Sequence, residues 1–327
     1  MEKELFSKIV GSGSILPGKP VSNYDLASKL REKGVETSHE WIKERSGITQ
    51  RYFASEFETT SSLGLEAAKI AMLDAEVSAD EIDLVIVGTT TPDQIFPSVA
   101  CKIQGELDIK QGAAFDVQAV CSGFVYALSI SDMFIKTGQS SCALVIGAET
   151  LSDILDWNDR STCVLFGDGA GAVVIKTSDS PGILTSSLRS DGKLTNILKA
   201  PARISQGKII GSPFAVMDGK EVFRKAVDAL SSSAEEVLTK AEVSKEEIDW
   251  LIPHQANLRI LRAVAKRVGI PDSKLIETVS DHANTSAASV PLALDTARKD
   301  GRISRGDLVL IQGVGGGLSW GSSLISM

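Results

Sequence analysis

AEVSADEID at residues 75–83 and AEVSKEEID at residues 241–249 agree at seven of nine positions, 166 residues apart in a chain of 327. A repeat at half the chain length says more about the fold than any other feature. Working outward, each copy follows a helix-forming stretch, LGLEAAKIAMLD (63–74) and AVDALSSSAEEVLTK (226–240). Each precedes a short apolar strand, LVIVGTT (84–90) and WLIPHQA (250–256). In each half a second strand is then expected to run into a helix, over AAFDVQAVCSGFVYAL (113–128) and LIETVSDHANTSAASVPLAL (275–294). CALVIG (142–147) and DLVLIQG (307–313) read as apolar strands ending in glycine. GDGAGAVVI (167–175) and GGGLSWGSSLI (315–325) read as a last strand after a glycine-rich turn. A chance nine-residue match would not bring this order of elements with it. Continuous apolar strands alternating with helices predict an α/β protein with mostly parallel sheets, buried on both faces. The turn residues of KTSDSPG (176–182) mark the junction. They divide the chain into halves 1–178 and 179–327, and the cleft between like halves is the expected site.

Composition narrows the function classes. Hydrophobic residues make up 43% and charged residues 23%, which suits a soluble globular protein. Lys plus Arg total 34 against 42 for Asp plus Glu, a net charge of −8. That balance opposes general nucleic-acid binding, which needs a basic surface. No apolar run is long enough to span a membrane, and MEKELFSKIVGSGS lacks the apolar core of a signal peptide. Cys101, Cys121, Cys142 and Cys163 form no CxxC pair, so neither a zinc site nor a disulfide framework is expected. The expected location is the cytoplasm, with the thiols reduced.

One cysteine stands apart. Cys121 lies between a strand ending near Val117 and an apolar helix, with the small Ser122 and Gly123 beside it. The positive end of a helix dipole favours a thiolate, so a nucleophile is expected there. The other three sit in apolar or mixed segments and read as small buried hydrophobes. Among the three histidines, His254 ends the strand IDWLI, where sites form in parallel sheets. His282 and Asn284 fall in DHANTSAAS, the counterpart of the Cys121 turn, whereas His39 in TSHEW reads as an ordinary first-turn helix residue. GDGAGA (167–172) fits a dinucleotide-loop spacing, but a strand rather than a helix follows it, so a turn is the better reading. GVGGG (313–317) offers backbone N–H groups where no side chain intrudes. On helix NLRILRAVAKRVG (257–269), Leu258, Leu261, Ala265 and Val268 form an apolar stripe. Arg259, Arg262 and Lys266 form a basic stripe with Arg267 beside it. From spacing alone this is equally a docking face for an anionic partner and a solvated surface.

TSHEWIKERSGI (37–48), FPSVAC (96–101), the Cys121 turn, FGDGAGA (166–172), PHQANLRI (253–260), NTSAAS (284–289) and GGGLSWG (315–321) together resemble the thiolase-fold condensing enzymes. Specifically, they resemble β-ketoacyl-acyl-carrier-protein synthase III, over essentially the whole chain. The resemblance implies a homodimer of five-layered αβαβα subunits built from the two repeated halves. It makes Cys121 the acyl-accepting nucleophile, and His254 with Asn284 the pair that binds the malonyl thioester carbonyl. The backbone N–H groups of Cys121 and Gly316 correspond to the oxyanion hole. Trp41 and Arg160 correspond to the residues that sandwich the coenzyme A adenine, and Arg45 to a coenzyme A phosphate contact. Phe96 corresponds to the residue that reaches across the dimer into the primer pocket. Arg224, Arg259, Lys266 and Arg267 fall where the family binds acyl carrier protein. Val314 stands where the family often has Phe, which bears on acyl selectivity.

The implied reaction is a decarboxylative Claisen condensation. A short acyl-CoA, with acetyl-CoA expected, acylates Cys121. Malonyl-acyl carrier protein then decarboxylates and attacks, and the β-ketoacyl product starts fatty-acid synthesis. Coenzyme A takes part as a thioester substrate; no metal or redox cofactor is expected. Two other readings stay open: a Cys–His–Asn relative of secondary metabolism with a different primer or acceptor, and a catalytically silent dimer partner.

Overall fold

In the computed structural model, which describes residues 5–327, the second sheet repeats the strand order of the first except for its last strand. The first half runs β1 (Phe6–Ile15), α1 (Asn23–Glu32), α2 (His39–Ser46), α3 (Thr60–Asp74), β2 (Leu84–Gly88), α4 (Val99–Glu106), β3 (Ala113–Val117), α5 (Gly123–Lys136), β4 (Cys142–Glu149) and β5 (Gly169–Ser178). The second runs β6 (Ile183–Ser190), α6 (Gly219–Ala241), β7 (Trp250–Pro253), α7 (Leu258–Val268), α8 (Val279–His282), α9 (Ser289–Lys299), β8 (Leu308–Gly315) and β9 (Ser319–Ser326). The first sheet is ordered β1-β5-β4-β2-β3 and the second β6-β9-β8-β7. In each, the two pairs nearest the opening strand are antiparallel and the next pair is parallel.

Three expectations are corrected here. The sheets are mixed rather than mostly parallel: β9 folds back antiparallel on β8 through the tight glycine turn after Gly315, and β5 returns antiparallel on β4 after a long connection that holds a 3₁₀ turn at Leu151–Ile154. The strand expected at 275 is one parallel bridge, Leu251 to Leu275, where the first half has all of β3. The junction is shorter than KTSDSPG, since β5 continues through Ser178 and β6 begins at Ile183.

Alternation along β2 shows why the sheets are covered on both sides. Leu84 and Ile86 pack with Phe124 and Leu128 of α5. Val85 and Val87 pack with Ala67 and Ala71 of α3 and Ile103 of α4 on the opposite face. A period-two strand with both faces apolar must be sandwiched. Helices α3 and α4 cover the first sheet, α5 and α9 lie between the sheets, and α6 and α7 cover the second. The layers are therefore α, β, α, β, α.

The two central helices position the site. Each is entered through a short 3₁₀ turn, Val120–Ser122 before α5 and Ser286–Ala288 before α9. Val120 and Ser286 have φ of 48° and 50°, and 286 − 120 is again 166. Left-handed backbone at a β-branched valine costs on the order of 1–3 kcal/mol and persists only where packing imposes it. Glycine permits the close approach: a Cβ at Gly88 would fall 2.4 Å from the Gly123 carbonyl carbon, and one at Gly147 would fall 2.3 Å from the Ala287 oxygen.

Candidate active site

A cavity of about 600 Å³ opens between the halves, and Cys121, His254 and Asn284 all line it. Each arrives from a different element: the turn before α5, the residue after β7, and the turn before α9. All three are nearly inaccessible, at 5%, 2% and 6% exposure. Trp41, Arg45, Phe166, Arg259 and Val314 line the same cavity.

Local hydrogen bonds orient the two cavity donors. His254 Nδ1 lies 2.6 Å from the Ser289 Oγ, which also accepts from the Gln255 N–H at 3.3 Å. The buried Ser289 hydroxyl hydrogen is satisfied by donating to Nδ1, which leaves the imidazole proton on Nε2. Burial pushes the His254 pKa down to about 3, so the ring is neutral. The Ser286 N–H donates to Asn284 Oδ1 at 2.9 Å. With its oxygen engaged, the side-chain amide has its NH₂ group left to donate. A neutral imidazole N–H and an amide N–H in one dry cavity suit an oxygen that becomes negative during reaction.

Cys121 sits in the 3₁₀ turn immediately before α5, as expected, and is enclosed there. Burial pushes the thiol up to about 12, and the nearby Glu149 charge adds to the rise. Desolvation of the enclosed sulfur is the largest influence on the thiol. Cys142 and Cys163 are buried as expected, but Cys101 is exposed. The GDGAGA turn holds a buried Asp168, whose carboxylate accepts from the Ala54 and Ser152 N–H groups, a structural use of that loop. His39 stacks on Tyr24 at 4.7 Å. His282 is partly buried, and burial lowers its pKa. It is not among the cavity residues.

Other expected residues are placed as follows. Helix α2 puts Trp41 and Arg45 one turn apart, and the Arg45 guanidinium lies 4.5 Å from the Trp41 ring centre. The Arg160 guanidinium lies 4.8 Å from the same ring, which leaves no room for a further planar group between them. Gly315, one residue before the expected Gly316, lines the cavity. A Cβ at Gly315 would fall 2.5 Å from the Cys121 nitrogen. Phe96 is 80% exposed on this chain, beside exposed Ile95, and lies outside the cavity. Of the basic residues, Arg224 pairs with Glu221, Arg262 with Glu277 and Arg267 with Asp228. Arg259 and Lys266 have no carboxylate partner among the described residues, and Arg259 packs over Phe223 at the cavity.

Sequence reasoning missed Ser286, Ser289 and Glu149. The serines were visible within NTSAAS, but only the fold shows which hydroxyl meets which neighbour. Glu149 had one signal: it is an acid closing an otherwise apolar strand, CALVIGAE, every residue of which is buried.

Comparison with known proteins bears on the family and the fold. Residues 115–192 match the family described as 3-oxoacyl-[acyl-carrier-protein (ACP)] synthase III, and residues 238–327 match its C-terminal counterpart. A beta-ketoacyl-[acyl-carrier-protein] synthase III of Bordetella petrii is 58% identical over 322 residues, 98% of either chain. The crystal structure of 3-oxoacyl-[acyl-carrier-protein] synthase III from Aquifex aeolicus VF5 has a TM-score of 0.92 at 46% identity, covering 98% of this chain and 100% of that one. The priming beta-ketosynthase of the R1128 polyketide biosynthetic pathway also has a TM-score of 0.92, at 36% identity, covering 100% and 98%. With its five-layered thiolase fold and its cysteine, histidine and asparagine gathered in one cavity, the chain belongs to the 3-oxoacyl-[acyl-carrier-protein] synthase III family of condensing acyltransferases.

Proposed function

We propose that Cys121 accepts an acyl group from a short acyl-CoA, acetyl-CoA foremost, and that His254 and Asn284 then drive condensation with malonyl-acyl carrier protein. The single observation that carries this reading is the convergence of one buried thiol and two oriented neutral donors in one cavity. The thiolate attacks the thioester carbonyl, coenzyme A leaves, and an acyl-enzyme remains. Malonyl-acyl carrier protein follows, and loss of CO₂ puts negative charge on its thioester oxygen. His254 Nε2–H and the Asn284 amide donate to that oxygen, worth about 2.7–4 kcal/mol of barrier for each such donor. The resulting carbanion attacks the acyl-Cys121 carbonyl, the N–H groups of Cys121 and Gly316 receive the oxyanion, and β-ketoacyl-acyl carrier protein departs to begin fatty-acid synthesis.

The wider assignments rest on placement. The halves 1–178 and 179–327 act as one unit, the first supplying the nucleophile and the second the donors. Trp41, Arg45 and Arg160 hold coenzyme A, and Arg160 swings off Trp41 to admit the adenine. Exposed Phe96 and Ile95 fit a homodimer in which Phe96 closes the partner's primer pocket. Arg259 and Lys266, with Arg224 and Arg267 nearby, receive the acidic carrier protein. The four unpaired cysteines fit the reducing cytoplasm, and no helix among the described residues is long and apolar enough to cross a membrane.

Turnover tests the assignment. Acetyl-CoA plus malonyl-acyl carrier protein should yield acetoacetyl-acyl carrier protein and CO₂, and Cys121→Ala should yield no condensed product. A primer panel run beside it separates fatty-acid initiation from a polyketide-type primer. Product formation by Cys121→Ala at the wild-type rate would sink the reading.

A further inference from the structure

The destination of the Cys121 proton is unassigned by the groups above. His254 carries its own proton on Nε2 and is neutral, so it presents no lone pair to the cavity. Beside the thiol, however, a buried hydroxyl is hydrogen-bonded to a buried carboxylate. Glu149 at the end of β4 is fully buried. It accepts from the Thr91 hydroxyl at 2.5 Å, the Thr90 and Thr91 N–H groups at 3.1 Å, and the Ser286 hydroxyl at 2.9 Å. The Ser286–Ala288 turn packs directly against the Val120–Ser122 turn that carries Cys121, and the Ser286 hydroxyl is near enough to the thiol to favour its ionised form.

We infer that Cys121 passes its proton through the Ser286 hydroxyl to Glu149 as the sulfur attacks the thioester. The inference rests on the reading of Cys121 as the acyl acceptor. In the relay, S–H donates to the Ser286 oxygen, and Ser286 O–H to the Glu149 carboxylate. On transfer the S–H bond breaks as a new Ser286 O–H bond forms, while the original Ser286 proton moves to Glu149. The electron pair left on sulfur forms the bond to the acyl carbon. The new Ser286 hydroxyl now donates to the sulfur and the protonated Glu149 donates to Ser286, so every group stays hydrogen-bonded in both states. After the tetrahedral adduct collapses, the same path in reverse returns the proton to the departing coenzyme A sulfur.

With the thiol at about 12 and the Glu149 carboxyl at about 7, the transfer is uphill at rest and must accompany the attack of sulfur on the thioester. The Glu149 carboxylate opposes a thiolate beside it, and that opposition disappears as the proton arrives. Burial raises the Glu149 pKa to about 7, which matches an acceptor working near neutral pH. β4 packs against β2, β5, α3, α5 and α9. Charged groups on or beside these elements are engaged elsewhere: Asp74 with Arg298, Asp132 with Lys136, Asp295 with Lys299, Lys69 with Glu66, Lys176 with Glu81, and Asp168 with the Ser152 and Ala54 backbone. Cys121 is the titratable group facing Glu149. Glu149 touches no reacting atom; it is a positioning residue that holds the proton through Ser286.

The test is the acylation rate of Cys121 by acetyl-CoA, read at peptide level by mass spectrometry so that exposed Cys101 is scored separately. Wild type should gain rate up to about pH 7 and then level off, as the Glu149 carboxylate becomes fully ionised. In Glu149→Gln the break near neutrality should vanish, with the rate at pH 7 down about a hundredfold and still rising at high pH. Ser286→Ala should show the same loss of the break, although Glu149 is intact and the Ser286 N–H still holds Asn284. KM for acetyl-CoA should stay near wild type in both. A folded variant of either kind that keeps the wild-type break would overturn the relay; if Glu149→Gln does not fold, Ser286→Ala decides alone. Acetyl on the residue-121 peptide of Cys121→Ala would instead overturn the nucleophile assignment, so the two failures are distinguishable.

Discussion

Gly315→Ala puts one methyl group against the backbone of the nucleophile. The added Cβ would lie 2.5 Å from the Cys121 nitrogen, 3.0 Å from the Val120 Cβ and 3.1 Å from the Ala119 oxygen. An ordinary contact needs at least about 3.4 Å, so strand and turn must separate by nearly 1 Å. Neither side yields easily. Gly315 ends β8, which is paired with β7 on one edge and β9 on the other. The Cys121 turn is pinned between β8 and the Ser286–Ala288 turn. Overpacking of this kind costs about 1–3 kcal/mol of stability. The kinetic cost is larger, since a misplacement of about 1 Å at a reacting centre costs on the order of a hundredfold. On the proposed mechanism both half-reactions pass through an oxyanion next to the Cys121 N–H, so acylation and condensation should fall together, by about 10²–10³. The assay is single-turnover acylation by acetyl-CoA, then condensation by pre-acylated enzyme, with the melting temperature as the folding control. A folded Gly315→Ala with both rates within a factor of two or three of wild type would refute the placement of the oxyanion beside this turn.

Acid should destabilise the protein through His254, whose folded pKa of about 3 lies below its ordinary 6.5. Its stabilising contribution is full above about pH 6.5 and is lost toward pH 3 at about 1.4 kcal/mol per pH unit. Glu149 acts oppositely: with a raised pKa of about 7, its contribution is full below its ordinary 4.5 and is lost as pH rises through 7. The two largely offset in wild type between pH 7 and 5, so the signal lies in the difference between wild type and His254→Asn, which should change by about 2 kcal/mol in urea titrations at those pH values. Phe96→Ala should shift primer preference toward longer or branched acyl-CoA; an unchanged panel would remove Phe96 from the primer pocket. Arg259→Glu combined with Lys266→Glu should raise KM for malonyl-acyl carrier protein, with a loss that shrinks at high salt, and leave acylation by acetyl-CoA little changed. Equal losses in both half-reactions would place that face in the coenzyme A tunnel or in the fold itself.

Much of this was legible because the chain repeats. AEVSADEID and AEVSKEEID set the 166-residue offset, and the same offset relates Val120 to Ser286, the two left-handed residues that open the site. What eluded the sequence has specific causes. The direction in which β5 and β9 return depends on tertiary packing, so they read the same as parallel strands would. The Cys121 helix terminus was visible, but its burial was not, and burial decides the thiol pKa. The basic stripe on α7 was visible as spacing, yet Glu277 and Asp228 neutralise Arg262 and Arg267 from elements distant in sequence. Glu149 and Ser286 lie 137 residues apart and meet only in the fold.

The most direct test of the division between nucleophile and donors separates the two half-reactions in His254→Ala. The variant is incubated with acetyl-CoA, the acyl-enzyme is quantified by mass spectrometry, and malonyl-acyl carrier protein is then added while CO₂ release is followed. Acylation of Cys121 should proceed near the wild-type rate, because the proposed mechanism gives His254 no part in it, and decarboxylation should fall by about 10²–10³. A His254→Ala enzyme that fails to acylate would make His254 the base for Cys121 and contradict both the neutral-donor role and the route through Ser286.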